Sequence, residues 1–174
     1  MTTILTPAQT CGPLFGFALI PKGITQSVDE NDPRAIVLEG EVLDGEGNHI
    51  AMGGFVEFWS NEQATRVRTI DGRFRTVIVR PAPLALPDGS VLAPHLNIAV
   101  FSRGLARQLV TKMYFPDEAA ANQADPLLQA VGPQRRSRLI AAADDGTGRL
   151  RFNIKLQGED ESVFFALDAE HAPS

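Results

Sequence analysis

Imidazole and phenol side chains, which could hold a transition metal, are scarce in this chain. The sequence contains three histidines and one tyrosine: His49, His95, His171 and Tyr114. His95 and Asn97 lie in a strand-like run, and alternate residues of a strand point to the same face. A second histidine at position 97 would complete a two-ligand metal platform, but an asparagine oxygen is a poor ligand for a transition metal. We therefore interpret His95 and Asn97 as a local hydrogen-bonding pair and predict that this chain holds no metal.

Two other side chains could act on a ligand. Arg103 follows the same strand-like run, and its guanidinium could bind a carboxylate through two hydrogen bonds. From the residues alone, a solvated arginine in a turn is the commoner case. Cys11 could be a nucleophile, but no His, Asn or Asp is arranged in the sequence to activate it, so a structural thiol is favoured.

Composition excludes several classes of function. The chain has 174 residues, 44% of them hydrophobic and 21% charged, as expected for one globular domain. Its net charge of −5 argues against binding to nucleic acid, which favours a basic surface. No apolar run approaches the ~20 residues that cross a bilayer, and the first residues lack the basic and apolar regions of a signal peptide, so we expect none. The single cysteine excludes an internal disulfide, so we expect a cytoplasmic protein.

The pattern along the chain predicts a mostly β protein. Short alternating segments, separated by turn signals, predict strands near residues 36–42, 54–60, 65–70, 73–79, 95–102, 109–115, 149–157 and 162–167. Asp71-Gly72 predicts a two-residue hairpin turn. Helices are expected only from Asp117 as an N-cap, from Asp125-Pro126, and from Pro133 to about residue 142. We predict a single domain, 1–174, with a β-sandwich or Greek-key barrel and a few short helices between the later strands.

Residues 1–34 are predicted to form an extended lead-in without regular structure, because several prolines interrupt them. Within this lead-in, residues 14–20 are apolar, with the sequence LFGFALI. Aromatic and aliphatic side chains concentrate at subunit interfaces. We therefore expect the lead-in to contact another subunit.

Several segments together resemble one family. They are residues 93–104 (APHLNIAVFSRG), 111–122 (TKMYFPDEAAAN) and 125–128 (DPLL), supported by residues 10–13, 42–47, 74–77 and 151–159. These segments resemble the alpha subunits of the protocatechuate 3,4-dioxygenases, which are intradiol ring-cleaving dioxygenases. The resemblance spans nearly the whole chain, which is shorter than its relatives in the lead-in and in the loop after Trp59.

The resemblance implies a β-sandwich fold and a hetero-oligomer built from two homologous chains. In such enzymes the catalytic beta chain holds non-haem Fe(III) through two tyrosines and two histidines, while the alpha chain holds no iron. The resemblance places the histidine pair on His95 and Asn97 and one tyrosine near Leu84. The other tyrosine belongs to a loop that is short here, at residues 61–64. At most one ligand of four is retained, which implies an alpha-type chain without a metal.

The resemblance also implies a role at the rim of a shared substrate pocket. The alpha-chain arginine that faces the substrate falls on Arg103, which favours a functional role for that residue. A Gly-Pro-Tyr motif near the N-terminus falls on Gly12-Pro13-Leu14, where the tyrosine has been replaced. Leucine has no hydroxyl to donate to a substrate or water, so a more apolar rim is expected.

Three functions are therefore weighed. The first is an iron-free alpha subunit that supports a catalytic beta subunit in the O₂-dependent cleavage of protocatechuate to 3-carboxy-cis,cis-muconate, in aromatic catabolism. This chain alone would then be inactive. The second is a free-standing degenerate intradiol-like domain that binds an aromatic acid or self-associates without catalysis. The third is a structural sandwich protein.

Overall fold

A computed structural model of the chain describes residues 26–50, 53–144 and 148–166, together with Gln9, Gly12 and Leu19. The strands are β1 (Ile36–Leu43), β2 (Gly54–Trp59), β3 (Ala64–Arg68), β4 (Arg73–Ile78), β5 (Leu84–Ala85), β6 (Val91–Leu92), β7 (His95–Ser102), β8 (Leu109–Tyr114), β9 (Ala142–Ala143), β10 (Leu150–Arg151) and β11 (Ile154–Lys155). The helices are α1 (Ala119–Ala124), α2 (Pro126–Ala130) and α3 (Pro133–Arg136), which continues into a 3₁₀ turn over Ser137–Leu139. The prediction of a mostly β chain with short helices between the later strands is confirmed.

One sheet is built around β1. Along one edge, β1 pairs antiparallel with β4. Along the other edge it pairs in parallel first with β10 and then with β11. Gly40 lies between these two short parallel pairings, where the carbonyl oxygen of Phe152 approaches it closely and the Asn153 side chain accepts from Glu41 N. The sheet therefore joins residues from the beginning and the end of the described chain.

The second sheet has the strand order β3-β2-β7-β8, with antiparallel pairing throughout. The strand predicted at residues 95–102 is β7, with the same bounds. The turn predicted at Asp71-Gly72 lies between β3 and β4. Both residues have positive φ, 48° and 73°. Positive φ at both central positions is what a type I′ hairpin turn requires.

The two sheets pack face to face as a sandwich. Alternate residues of each strand point inward, and the core contains Leu38, Val42 and Phe74 from one sheet. Phe58 and Ile98 contribute from the other, and the rings of Phe58 and Phe74 lie 5.3 Å apart across the gap. A smaller apolar cluster seats the helices against the sandwich through Ala93, Tyr114, Leu128, Leu139 and Val163.

Two strand predictions near the C-terminus are wrong. The segment expected as one strand, 149–157, is two short strands, because between them Glu41 N of β1 donates to the side chain of Asn153 rather than to its backbone. The described part of the strand expected at 162–167 is not a strand. Its backbone makes isolated hydrogen bonds, including one from Phe165 N to Val110 O.

The helix predictions are partly right. Asp125 caps α2 by accepting a hydrogen bond from Leu128 N, and Pro126 opens the helix as expected. Asp117 does not cap α1, because its carboxylate pairs with Arg80. The third helical segment ends at Leu139 rather than near 142, because the next residues run alongside β8.

Among the described residues, no helix is long and apolar enough to span a membrane. A single domain over 1–174 stays a prediction. The lead-in, 1–34, also stays a prediction as a subunit interface, because most of residues 1–25 lie outside the described part. Leu19 has a described contact with the sandwich: Arg66 Nη1 donates to its carbonyl oxygen.

Candidate functional site

One small cavity brings together the positions at which the family resemblance places lost metal ligands. Its walls are the loop after β2, the proline-rich segment before β5, and the start of β7. The lining residues are Ser60, Asn61, Glu62, Pro81, Ala82, Pro83, Leu84, His95 and Asn97. The cavity has a volume of about 60 Å³. A cavity that holds benzene is about 150 Å³, so this one has room for water but not for an aromatic acid.

Lys112 approaches the side chains at this cavity from the neighbouring strand. In the β7–β8 ladder Lys112 lies directly opposite Asn97. Its Nζ is 2.5 Å from Asn97 Oδ1 and 3.1 Å from His95 Nε2. The amino group therefore lies between the two side chains that a metal at this position would need.

The protonation of His95 follows from its hydrogen bonds. Nδ1 lies 2.8 Å from the carbonyl oxygen of Ala93, which can only accept, so Nδ1 carries the hydrogen. Nε2 is then the acceptor for Lys112. Burial lowers the pKa of His95, and the nearby Lys112 charge lowers it further, against the opposing effect of the Ala93 carbonyl. These effects favour a neutral imidazole at pH 7.

Burial is also the main influence on Lys112. It lowers the pKa of the lysine, while the charge of Asp125 acts in the opposite direction. The phenol of Tyr114, which follows on the same strand, has its pKa raised, chiefly by burial and then by Asp125. Tyr114 is fully buried and packs 5.3 Å from the His95 ring, centroid to centroid. Tyr114 therefore packs beside the cavity and is not one of the residues that line it.

Arg80 fixes the proline-rich wall of the cavity. Its guanidinium donates to Asp117 and Glu118, each at 2.6 Å, and lies 4.8 Å from the ring centroid of Phe115. The segment that leads from Arg80 to Leu84 is thereby attached to the residues that precede α1. Arg80 acts as a structural anchor, because both of its ion pairs are internal.

The residues around this cavity do not fit a metal ion. Leu84 has no donor atom, and the donor atoms of His95 and Asn97 are both engaged by Lys112. Over the described ranges, no group of three or more His, Cys, Asp or Glu residues is placed to hold a metal. At the positions where the resemblance places ligands, the side-chain donors are thus one imidazole and one amide oxygen beside an amine, and Glu62 in the lining accepts from Ala82 N, so the set is unsuited to iron.

Comparison with known proteins identifies the relatives of this chain. It is 35% identical, over 200 aligned positions, to the protocatechuate 3,4-dioxygenase alpha chain of Burkholderia cepacia, covering 95% of this chain and 99% of that one. It is also 35% identical to the alpha chain of Pseudomonas putida, covering 92% and 95%. The chain belongs to the protocatechuate 3,4-dioxygenase alpha-chain family. The family predicted from the sequence, an oxidoreductase family of the intradiol type, is confirmed.

More distant relatives agree with this assignment. The protocatechuate 3,4-dioxygenase beta chain of Burkholderia cepacia is 27% identical over 155 positions, covering 72% of this chain and 65% of that one. The dioxygenase domain of a dioxygenase carbohydrate-binding protein fusion from Streptomyces sp. SirexAA-E superposes with a TM-score of 0.56 at 20% identity, covering 88% and 98%. Hydroxyquinol 1,2-dioxygenase from Pseudomonas putida DLL-E4 gives 0.55 at 18% identity, covering 89% and 67%. These two structures share the fold. No family model matches the sequence.

In this alpha-chain family member, Arg103 lies at the opposite end of β7 from the cavity. At about 3.3 Å per residue, it is about 20 Å along the strand from Asn97. Arg103 is exposed, in the turn after Ser102, and makes no ion pair with the residues that the structure describes. Gly12 is exposed with φ +55°, while Pro13 and Leu14 lie outside the described residues. Arg103 and the residues predicted as lost metal ligands therefore lie at two different places, and the predicted rim role of Gly12, Pro13 and Leu14 stays a prediction.

A second, larger groove carries no evident chemistry. It has a volume of about 780 Å³ and lies beside β1 and the turn before β4. Two of the carboxylates in its lining are paired: Glu39 lies 3.4 Å from Arg75, and Glu41 lies 3.2 Å from Arg73. Elsewhere, Glu161 and Asp160 pair with basic residues of α3 and its 3₁₀ turn.

Lys112 is the residue of this site that the sequence reasoning missed. A signal for it was present, because a hairpin between 95–102 and 109–115 places Lys112 opposite Asn97. Lys112 is also the only charged residue of β8. A single lysine in an otherwise uncharged strand, opposite a polar residue of the neighbouring strand, is the pattern that would have indicated the contact between Lys112 and Asn97.

Proposed function

We propose that this chain is the iron-free alpha subunit of a protocatechuate 3,4-dioxygenase. It would pair with a homologous beta subunit that holds Fe(III), and the pair would cleave protocatechuate. In that reaction the ring bond between the two hydroxylated carbons breaks, and both atoms of O₂ enter 3-carboxy-cis,cis-muconate. The observation that carries the proposal is the end-to-end similarity to two alpha chains.

In this proposal the partner's Fe(III) activates the catecholate, and this chain contributes binding surface. Arg103 is the candidate contact, since its exposed guanidinium lacks an ion-pair partner within the described ranges. A guanidinium can bind the ring carboxylate through two parallel hydrogen bonds. Gly12, Pro13 and Leu14 are proposed to form the apolar part of the same rim. A reducing cytoplasm is the proposed compartment, on the basis of the single cysteine.

The cavity near His95 favours this function over the alternative of a free-standing domain that binds an aromatic acid. Its volume of about 60 Å³ is too small for such a ligand. An aromatic acid would need a different pocket, such as one completed by a second chain. The alternative therefore loses its most natural binding site.

The test of the proposed function is co-expression with a homologous partner rich in histidine and tyrosine. We expect the two chains to co-purify, to show the visible absorption of tyrosinate bound to Fe(III), and to consume O₂ with protocatechuate. This chain alone should be colourless and inactive. A coloured and active single chain would contradict the proposal, as would a colourless monomer that ignores the partner.

Arg103→Ala provides a test of the binding role. In the co-purified assembly we expect KM for protocatechuate to rise roughly 10- to 100-fold with kcat little changed, because a charge-assisted hydrogen bond contributes about 1.5–3 kcal/mol. Arg107→Ala is the matched control, as an exposed arginine in the same turn. Equal KM values for the two variants would show that Arg103 does not bind the substrate.

A further inference from the structure

We propose that the Lys112 side chain fills the place between His95 and Asn97 where the family resemblance puts a metal, and closes the chain to metal ions. The proposal goes beyond the loss of ligands, which explains only weak binding. It assigns to one residue an active role in exclusion, and it concerns this chain alone, so its failure would leave the proposed function untouched.

The first support is where the nitrogen lies. Nζ of Lys112 is within hydrogen-bonding distance of both His95 Nε2 and Asn97 Oδ1. These atoms belong to the two residues at which the resemblance places a histidine pair. A metal ion would use these same two lone pairs. Lys112 and a metal ion therefore compete for the same atoms.

The second support is how tightly Lys112 is held. It lies opposite Asn97 in a regular antiparallel ladder, so the backbone directs its side chain to this face. His95 is fixed on its other side by Ala93, which orients the Nε2 lone pair toward Lys112. Each partner of Lys112 is thus already oriented to accept a hydrogen bond.

The third support is steric. The Lys112 nitrogen lies 3.1 Å from His95 Nε2, so it stands where an ion bound to that atom would have to sit. Asp125 cannot draw Lys112 away by a hydrogen bond of its own, because both of its oxygens already accept hydrogen bonds from backbone amides. Restoring a histidine at position 97 would therefore be insufficient to restore metal binding while Lys112 remains.

The test uses CoCl₂ as the probe, titrated into the full chain and followed by visible absorption and calorimetry. We compare wild type, Asn97→His, and the double variant Asn97→His/Lys112→Ala. The double variant should bind Co(II) at least ~100-fold more tightly than Asn97→His, because the Lys112 amino group no longer competes for the ligand lone pairs. Asn97→His/Lys155→Ala is the matched control and should behave like Asn97→His, since Lys155 lies on β11, in the other sheet.

Equal Co(II) affinities for Asn97→His and the double variant would overturn the proposal. A second measurement on the wild-type chain does not depend on the variants folding. At pH 7, ¹⁵N NMR should show a hydrogen bond between Lys112 Nζ and His95 Nε2. Absence of that hydrogen bond would also overturn the proposal.

Discussion

Replacing Gly40 with alanine is expected to lower the free energy of unfolding by about 3 kcal/mol, at the upper end for overpacked sites. An added Cβ would overlap the carbonyl oxygen of Phe152 and come within 2.5 Å of Cζ of Phe74. The carbonyl is backbone and lies between the two parallel pairings of β1, which hold it in place, so it cannot turn aside. Relief of the overlap would require β1 and the late segment to separate.

The matched control for this prediction is Gly132→Ala. Gly132 has an ordinary φ of −55°, and a Cβ there would meet no atom within 4 Å. It precedes α3 as the N-cap, so the cost should stay below about 1 kcal/mol. Urea unfolding followed by circular dichroism measures both variants. Similar midpoints for Gly40→Ala and Gly132→Ala would show that the contact with Phe152 does not constrain the fold.

The second large effect is expected for Asp125→Ala, a loss of about 3 kcal/mol from a lost helix cap and buried amides left without acceptors. Asp125 is fully buried, and its two carboxyl oxygens accept from Ala93 N at 2.8 Å and Leu128 N at 2.9 Å. Tyr114 Oη lies 3.5 Å away. One side chain therefore joins α2, β8 and the residue that orients His95.

Two variants separate this explanation from a general effect of removing a carboxyl group. Asp117→Ala removes an exposed carboxylate paired with Arg80 and should cost less than about 1 kcal/mol. Asp125→Asn keeps one acceptor oxygen and should fall between the two. The free energy of unfolding from urea titration is the measurement. A cost for Asp125→Ala no larger than that for Asp117→Ala would contradict the prediction.

Local patterns in the sequence predicted much of the sandwich. Alternation of apolar residues located β7 at its observed bounds, and Asp71-Gly72 was sufficient to predict a turn, because few residues accept positive φ. These features depend on neighbouring residues only. They are therefore visible without knowledge of the rest of the fold.

The features that could not be predicted depend on residues far apart in the chain. The expected strand at 149–157 is interrupted where it passes Gly40 of β1, because Glu41 N there donates to the side chain of Asn153. Asp117 was expected as a helix cap because of its position, but Arg80 binds it from 37 positions away. Local propensity describes neither partner.

The candidate site shows the same division. The family resemblance located Leu84, His95 and Asn97, and the structure places all three around one cavity. The resemblance described these positions only as lost ligands, however, and gave no role to Lys112, which contacts His95 and Asn97. Lys112 became visible only when the register of β7 and β8 placed it opposite Asn97.

The late pairing of β1 has a consequence for synthesis of the chain on the ribosome. One edge of β1 can pair with β4 early, but the other waits for residues that follow more than a hundred positions later, as in the hydrogen bond from Glu41 N to Asn153. Until then the nascent chain carries an open strand edge, which is a template for aggregation. Translation that stopped before residue 150 would release a product with that edge permanently exposed.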